Sequence, residues 1–557
     1  MINFLTYFFL NKKFNYFLKK IFKNNEKSDN KSNIVLIEFN AFYNCHLSIF
    51  YLAKELSKKF NARTISFFNY YNLSADLIKE NFLNKLKWFI GKRLSINFFG
   101  TYKAFGCQDI IKPRIISNKI YKAEIILKSI LNKLKKKDNL LKIKIYNILI
   151  GDLIYDTFLK RYKVATIDLN DTRLKEHILE IIYLFLYWVD YFNKNKVKAI
   201  VAVHNCYTYA IIIRIALKRK ILVYVTSLYR LTKFTNKDFI EGNNFYEFKK
   251  HFNKLDSRIK KNAITFAKKK IEDRIYGGSL HNTKKYTLDN SLYSDSSAFF
   301  RGKGKFGKLI KNKNKVNVLI SPPDFFDAVH GNKGHLFTDF YEWLNFLGNM
   351  SKKLKNYHWY LKTHPNFYFW KKINKNRAPS DIIIENYLKK FPNINLLPNN
   401  ASHLDLVKQG VNRVLTIYGT VAIEYAYLGV PVITACKNNL YADYKFNLHP
   451  KSISEYKNIL MNLSKIKINI NKRDICEYYF MRSYYYDTQW FIDDITDFTN
   501  FMKGFFDNQA SILIYKYWMK FWNLDWHKKR IDILKNFIKS EEKSVNFFHT
   551  GNIKLYK

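Results

Sequence analysis

The chain has 557 residues, 48% of them hydrophobic and 25% charged, which excludes a wholly disordered or collagen-like polymer and predicts two or three globular domains. Lys and Arg number 95 against 45 Asp and Glu, a formal charge of +50, so an anionic partner such as nucleic acid, phospholipid or a phosphorylated metabolite is suggested. Scarce Gly and Pro beside abundant Lys, Asn, Ile, Phe and Tyr is also what an AT-rich coding sequence produces, so the charge is only half an argument.

Residues 1–30 open the chain as a basic amphipathic segment. Phe4, Phe8, Phe14, Phe17, Leu18, Ile21 and Phe22 recur at helical spacing with Lys12, Lys13, Lys19, Lys20 and Lys23 between them. This pattern fits a helix lying in an anionic membrane surface and equally a terminal helix packed on a core. Asn24 to Ser32 reads as a polar linker. The apolar start has no basic segment before it and no small-residue cleavage site after it, so a secretory signal is not expected. No window has the roughly 20 nearly uncharged apolar residues of a spanning helix, which predicts a cytoplasmic, at most peripheral, protein.

Residues 31–300 read as a first Rossmann-like domain. Ile34 to Ile37 is a buried-strand run, Leu47 to Phe60 a helix and Thr64 to Phe68 a second strand, a βαβ unit that makes a parallel sheet the default. Val164 to Leu169, Ala199 to Val203 and Ile221 to Val225 are predicted as further strands. Residues 301–314 close a Gly-, Ser- and Lys-rich linker. Residues 315–480 form a second such domain, with strands at Val316 to Ile320, His358 to Leu361, Ile394 to Leu397, Arg413 to Ile417 and Val430 to Thr434. Residues 481–557 read as a helical extension. Two facing parallel sheets would hold a ligand in the cleft at their carboxyl ends.

The most informative stretch is Arg413 to Thr434. A strand ends in Tyr418-Gly419-Thr420, a helix follows, and Gly429 stops it. Gly419 lets the backbone approach a ligand, while Thr420 and the amides of the first turn are donors for an anion. Glu424, one turn on, is placed to accept from ribose hydroxyls. In Trp359 to Asn366, Pro365 stops a strand so that His364 projects at its carboxyl end, with Lys362 adding charge. An ordinary strand-to-helix connection would carry the same residues without a ligand.

K-T-H-P-N followed by Y-G-T-x-x-x-E-x-x-x-x-G-V-P-V resembles the donor half of GT-B glycosyltransferases of bacterial surface polysaccharides: capsule polysaccharide biosynthesis transferases, polysialyltransferases and the glycerophosphotransferases of teichoic acid synthesis. The resemblance implies that His364, Thr420 and Glu424 contact a nucleotide's phosphates and base. Gly151 to Arg161 and Val203 to Ala216 are similar, more faintly, to the acceptor half. Where several relatives carry paired serines this chain has Gly419-Thr420, which leaves the donor open among CMP-, CDP- and UDP-linked sugars.

Transfer also needs a base for the acceptor hydroxyl or a group that steadies an oxocarbenium-like centre. Strand-end candidates are Glu38, His46 and His204 in the first half and Asp324, Asp327 and His330 in the loop SPPDFFDAVHGNKGH of the second. Glu38 is favoured as base, because an acceptor-side base suits inverting transfer; each acid taken singly could instead be a cap or a solvated charge. No Asp-x-Asp follows a strand, and Cys45, Cys107, Cys206, Cys436 and Cys476 are scattered with no C-x-x-C, so neither a metal nor another cofactor is expected and the thiols read as reduced. The expected partners are a nucleotide sugar, a glycan or glycolipid acceptor and an anionic membrane surface. A nucleotide-sugar epimerase of the same double-Rossmann shape, or a non-catalytic polyanion binder, are the alternatives. Against nucleic acid, the lysines are spread along the whole chain and no recognised motif appears.

Overall fold

A computed structural model describes residues 4–22, 32–40, 43–68, 82–95, 98–227, 230–237, 239–240, 247–276, 306–364, 379–399, 401–486, 490–491, 508–521 and 524–556. The chain divides into two compact units, both discontinuous in sequence. The first comprises Met1–Thr157, Leu169–Phe239 and Asp487–Gly551; the second comprises Phe158–Asp168, Ile240–Tyr486 and Asn552–Lys557.

The first unit is built on β1 (Asn33–Phe39), β2 (Ala62–Phe68), β3 (Asp109–Ile111), β6 (Lys196–Ala202), β7 (Leu222–Thr226) and β8 (Leu231–Phe234), with a small antiparallel hairpin of β4 (Lys144–Ile145) and β5 (Ile148–Leu149) apart from the sheet. The order is β3-β2-β1-β6-β7-β8, parallel except where β8 runs antiparallel to β7. Val35, Leu36 and Ile37 are wholly buried, as expected of a parallel strand covered on both faces. Helices Tyr43–Phe60, Arg173–Lys194 and Tyr209–Lys218 belong to the same unit.

The stretches Gly151 to Arg161 and Val203 to Ala216 meet here. Arg214 makes a bidentate pair with Asp152, at 2.5 and 2.6 Å, and donates to the Leu149 carbonyl at 2.8 Å. Gly151 is required by packing, since a Cβ there would fall 2.0 Å from the Leu140 carbonyl oxygen.

The second unit carries β9 (Asn317–Ile320), β10 (His358–Lys362), β11 (Ile394–Leu397), β12 (Arg413–Thr416) and β13 (Val432–Thr434), all parallel in the order β11-β10-β9-β12-β13. Asp339 caps the helix Phe340–Lys353 by accepting from the Glu342 amide, and Ser402 caps His403–Gln409 by accepting from Asp405. Gly410 ends the latter at φ +116°, where a Cβ would stand 3.0 Å from the Lys313 backbone.

Several expectations change. Val164–Leu169 is irregular, not a strand: Lys163 turns the chain at φ +55°, and the Thr166 hydroxyl donates to Asp339. The strand beside β2 is instead the three-residue β3, too short to signal itself. The residues beyond 481 are not a separate extension. Tyr515 stacks on Phe14 at 3.5 Å, the Val545 amide donates to Leu231 and the Lys233 amide to Lys543, so the chain's far end edges the first unit's sheet.

The opening helix, Phe4–Phe22, buries Phe14, Leu18 and Phe22 within the first unit, while Phe8, Phe9 and Tyr16 are exposed. Its apolar stripe is therefore largely used in packing. No helix among the described residues is long and apolar enough to cross a membrane. The linker residues 24–31 and 277–305, and most of 487–507, lie outside the described residues.

Candidate functional site

In the second unit the order of strands reverses between β9 and β12, and the loops leaving their carboxyl ends diverge there, the place where open parallel sheets accept ligands. Thr416 ties the two strand ends together by donating to the Ser321 carbonyl at 2.9 Å. The loop after β9 is pinned across the chain after β13: Leu336 donates to Ala435 and Lys437 to Gly334. Gly334, at φ +94°, has no room for a Cβ, which would lie 2.9 Å from the Asn438 nitrogen. His335 rests 5.6 Å from both the Tyr418 and Phe340 rings, and burial lowers its pKa to about 3, so it is neutral.

Gly419 adopts φ +131° with no atom within 4 Å of where a Cβ would be, so the turn is open on that side. Thr420 begins the helix Val421–Tyr427 without capping it through its hydroxyl. His364 is half-buried two residues beyond β10, and Pro365 lies outside the described residues.

Glu424 is 5% exposed and its carboxylate accepts from His403 Nδ1 at 2.8 Å. On the other side of that ring, Lys362, itself 3% exposed, donates to Nε2 at 3.3 Å. An ammonium can only donate, so Nε2 is the acceptor and Nδ1 carries the proton. Lys362, His403 and Glu424 thus form one buried, internally consistent chain of charge across the ends of β10 and two helix starts. The sequence reading missed His403. Its signal was the capping pattern of Ser402 and Asp405 immediately after β11, which places the residue at a helix start beside the strand ends.

The loop's other candidates are spread. His330 Nε2 donates to the Thr338 carbonyl at 2.8 Å, within the loop itself. Asp327 is exposed and pairs with Lys160 at 3.1 Å. Asp324 is buried, accepts from the Phe326 amide at 3.0 Å, and has a raised pKa, chiefly from burial and then from the charge of Asp327. Lys163, beside these acids, has its pKa lowered by burial and by Lys160.

In the first unit the order reverses between β1 and β6, and a second cluster occupies that position. Glu38, 1% exposed, accepts at Oε2 from the Val203 and His204 amides (2.7 and 3.2 Å) and at Oε1 from Asn40 Nδ2 and His204 Nδ1 (2.7 and 3.0 Å). Burial acts to raise its pKa, but the charge and hydrogen bond of His204 and the two amides outweigh it and the pKa is lowered. His204 is 27% exposed in its side chain and stacks on Tyr209 at 5.0 Å. His46 is wholly buried: Nε2 donates to the Asn40 carbonyl at 2.7 Å, Nδ1 accepts from the Tyr515 hydroxyl, and burial lowers its pKa to about 4. With both nitrogens engaged, its ring holds Asn40 and offers a ligand no edge. Among the described residues no group of three His, Cys, Asp or Glu stands close enough to hold a metal ion.

No protein-family model and no curated protein matches the chain. Among solved structures, a UDP-GlcNAc 2-epimerase from Neisseria meningitidis bound to UDP-GlcNAc aligns at 10% identity over 88% of this chain and 100% of its own, with a TM-score of 0.21. A UDP-GlcNAc 2-epimerase from Methanocaldococcus jannaschii aligns at 12% identity over 81% and 97%, and the wall teichoic acid polymerase TagF at 10% over 93% and 100%, both with TM-scores of 0.21. Such scores lie below the level at which shared architecture implies shared chemistry.

Proposed function

We propose that this chain is a GT-B glycosyltransferase that moves a sugar from a CMP-, CDP- or UDP-linked donor to a capsule or lipopolysaccharide glycan at the cytoplasmic face of the membrane. One observation carries the reading: at the reversal point of a five-stranded parallel sheet, an open Gly419-Thr420 turn follows β12, and a buried Lys362–His403–Glu424 chain starts at the end of nearby β10. Gly419 and Thr420 would meet the phosphates, His364 the phosphate or base, and Lys362 would supply positive charge near the leaving nucleotide. Glu424, oriented by His403, would reach the ribose. No metal enters this reading, because the sequence has no Asp-x-Asp after a strand and the protein's own groups can meet the charge. The excess of lysine and the exposed Phe8, Phe9 and Tyr16 of the first helix suit a peripheral contact with anionic lipid.

The test is thermal stabilisation by CMP, CDP, UDP and GDP. A nucleotide bound only by the native state adds about 2.7 kcal/mol at a hundred times its Kd. One of the first three should raise Tm by several degrees. His364→Ala should abolish most of that rise while its own Tm without nucleotide stays within about 2 °C of wild type. No response to any nucleotide ends the proposal. Conversion of a nucleotide sugar with no acceptor present would favour an epimerase.

A further inference from the structure

We infer that Arg482 is a phosphate ligand of the second unit, brought beside the Gly419-Thr420 turn by the helix Lys472–Phe480 and the turn that continues it. The inference rests on the donor reading above and adds to it a cation from outside the motifs around Lys362, His364 and Gly419.

Lys472, at the start of that helix, lies over the Tyr427 ring at 4.7 Å, and Tyr427 is the last residue of the helix Val421–Tyr427 that follows the turn. Further along, Tyr478 meets the Tyr441 ring edge to face at 5.5 Å. Tyr441 belongs to the chain after β13, which Asn439 fastens to the end of β12 by donating to the Ile417 carbonyl at 3.1 Å, and its hydroxyl lies beside the Gly419 amide. The helix Lys472–Phe480 therefore runs back along Val421–Tyr427 toward its start. Arg482 follows Tyr478 by four residues, one turn further on the same face, and so reaches the level of Tyr441 and Gly419.

At that point the helix changes its winding. The Tyr486 amide donates to the Met481 carbonyl, five residues back, at 3.3 Å, so Met481–Tyr485 form a single π-turn, a feature that recurs at functional sites. Met481, Ser483 and Tyr485 are buried in it, while Arg482 is half-buried. The Tyr486 hydroxyl bonds to His251 and fastens the far end of the turn.

Arg482 has no anion to meet within the protein. Among the described residues it makes no hydrogen bond or ion pair, and the acid one turn before it, Glu477, accepts instead from the Tyr444 hydroxyl at 3.0 Å. Tyr441 is 3% exposed, and its hydroxyl makes no well-formed hydrogen bond with a described residue. Burial pushes its pKa well above the usual value, although the Arg482 charge acts to lower it, so the hydroxyl keeps its proton. A half-buried guanidinium and a buried hydroxyl at an open glycine turn are thus donors in want of an acceptor. A phosphate group supplies it, because two of its oxygens match the guanidinium fork.

Two measurements test this on the full chain. The first labels arginines with phenylglyoxal at fixed ionic strength, with and without inorganic pyrophosphate, and reads each site by mass spectrometry. Pyrophosphate should slow the modification of Arg482 about tenfold, while Arg473, exposed on the same helix, reacts equally in both. An Arg482 that does not react, or that reacts at one rate with and without pyrophosphate, overturns the inference. The second is calorimetric titration with the best-binding of CMP, CDP and UDP and with its nucleoside. Arg482→Gln should weaken the nucleotide about ten- to a hundredfold and the nucleoside by less than about twofold, a selectivity that a loosened fold would not produce. Equal weakening of both ligands, or of neither, overturns the inference and leaves the donor proposal standing. A wild-type chain that binds no nucleotide, but whose Arg482 pyrophosphate still protects, removes the donor proposal and keeps the phosphate site.

Discussion

Each unit sets a buried glutamate against a histidine at the carboxyl end of a parallel sheet, yet the two pairs are finished differently. Glu38 is saturated by four donors and its partner His204 remains 27% exposed. In the second unit the His403 side chain is 12% exposed, that of Glu424 is buried, and Lys362 closes the far side of the ring. The first arrangement leaves part of the imidazole at the surface. The second locks tautomer and orientation and suits holding a carboxylate at a fixed place. A glutamate–histidine contact therefore has no single meaning; the exposure of the ring and the third partner decide what it does.

The largest expected effect separates the two pairs directly. Glu38→Ala leaves two backbone amides, an Asn amide and an imidazole without an acceptor, and should cost about 3–5 kcal/mol in urea unfolding. Glu424→Ala should cost less, because His403 keeps Lys362 as a partner; equal losses would erase the distinction. The second effect is on pH. His46 is held near 4 in the folded state against an ordinary 6.5, so the unfolded chain binds more protons between those values and stability is lost as pH falls through that window. The slope approaches about 1.4 kcal/mol per pH unit, and His46→Gln should flatten it.

Gly419→Ala comes next. Nothing crowds its Cβ position, so the cost is the left-handed backbone alone, about 1–3 kcal/mol, with nucleotide affinity as the sharper readout. The smallest effect belongs to the exposed Lys160–Asp327 pair. Asp327→Asn should change stability by less than about 1 kcal/mol, and a larger loss would mean that the loop after β9 depends on that pair.

Both parallel sheets were legible in the sequence, because strands buried on both faces read as unbroken apolar runs such as Ile34 to Ile37 and Val318 to Ile320. Val164 to Leu169 reads as a strand and forms none: Ala165 and Ile167 are buried in an irregular segment, and such residues look like a strand when the partner cannot be seen. Residue types at strand ends singled out Glu38, His204 and Lys362, and helical spacing after Thr420 singled out Glu424, but not which partner each would take. The Ser402 cap marks His403 as standing at a helix start, but nothing local says that it will meet a glutamate 21 residues later. The contribution of Asp487–Gly551 to the first unit was hidden for the same reason, since it depends on contacts such as that between Phe14 and Tyr515.

That last feature constrains how the molecule is made. The first unit draws on Met1–Thr157 and on Asp487–Gly551, and its edge strand Leu231–Phe234 is bonded by Lys543 and Val545. A ribosome must therefore have passed Val545 before the first unit can close, while the second unit, dominated by the continuous stretch Ile240–Tyr486, has almost all its parts earlier. The half that begins first finishes last, and during synthesis its apolar strands and the helix Phe4–Phe22 wait without their final cover.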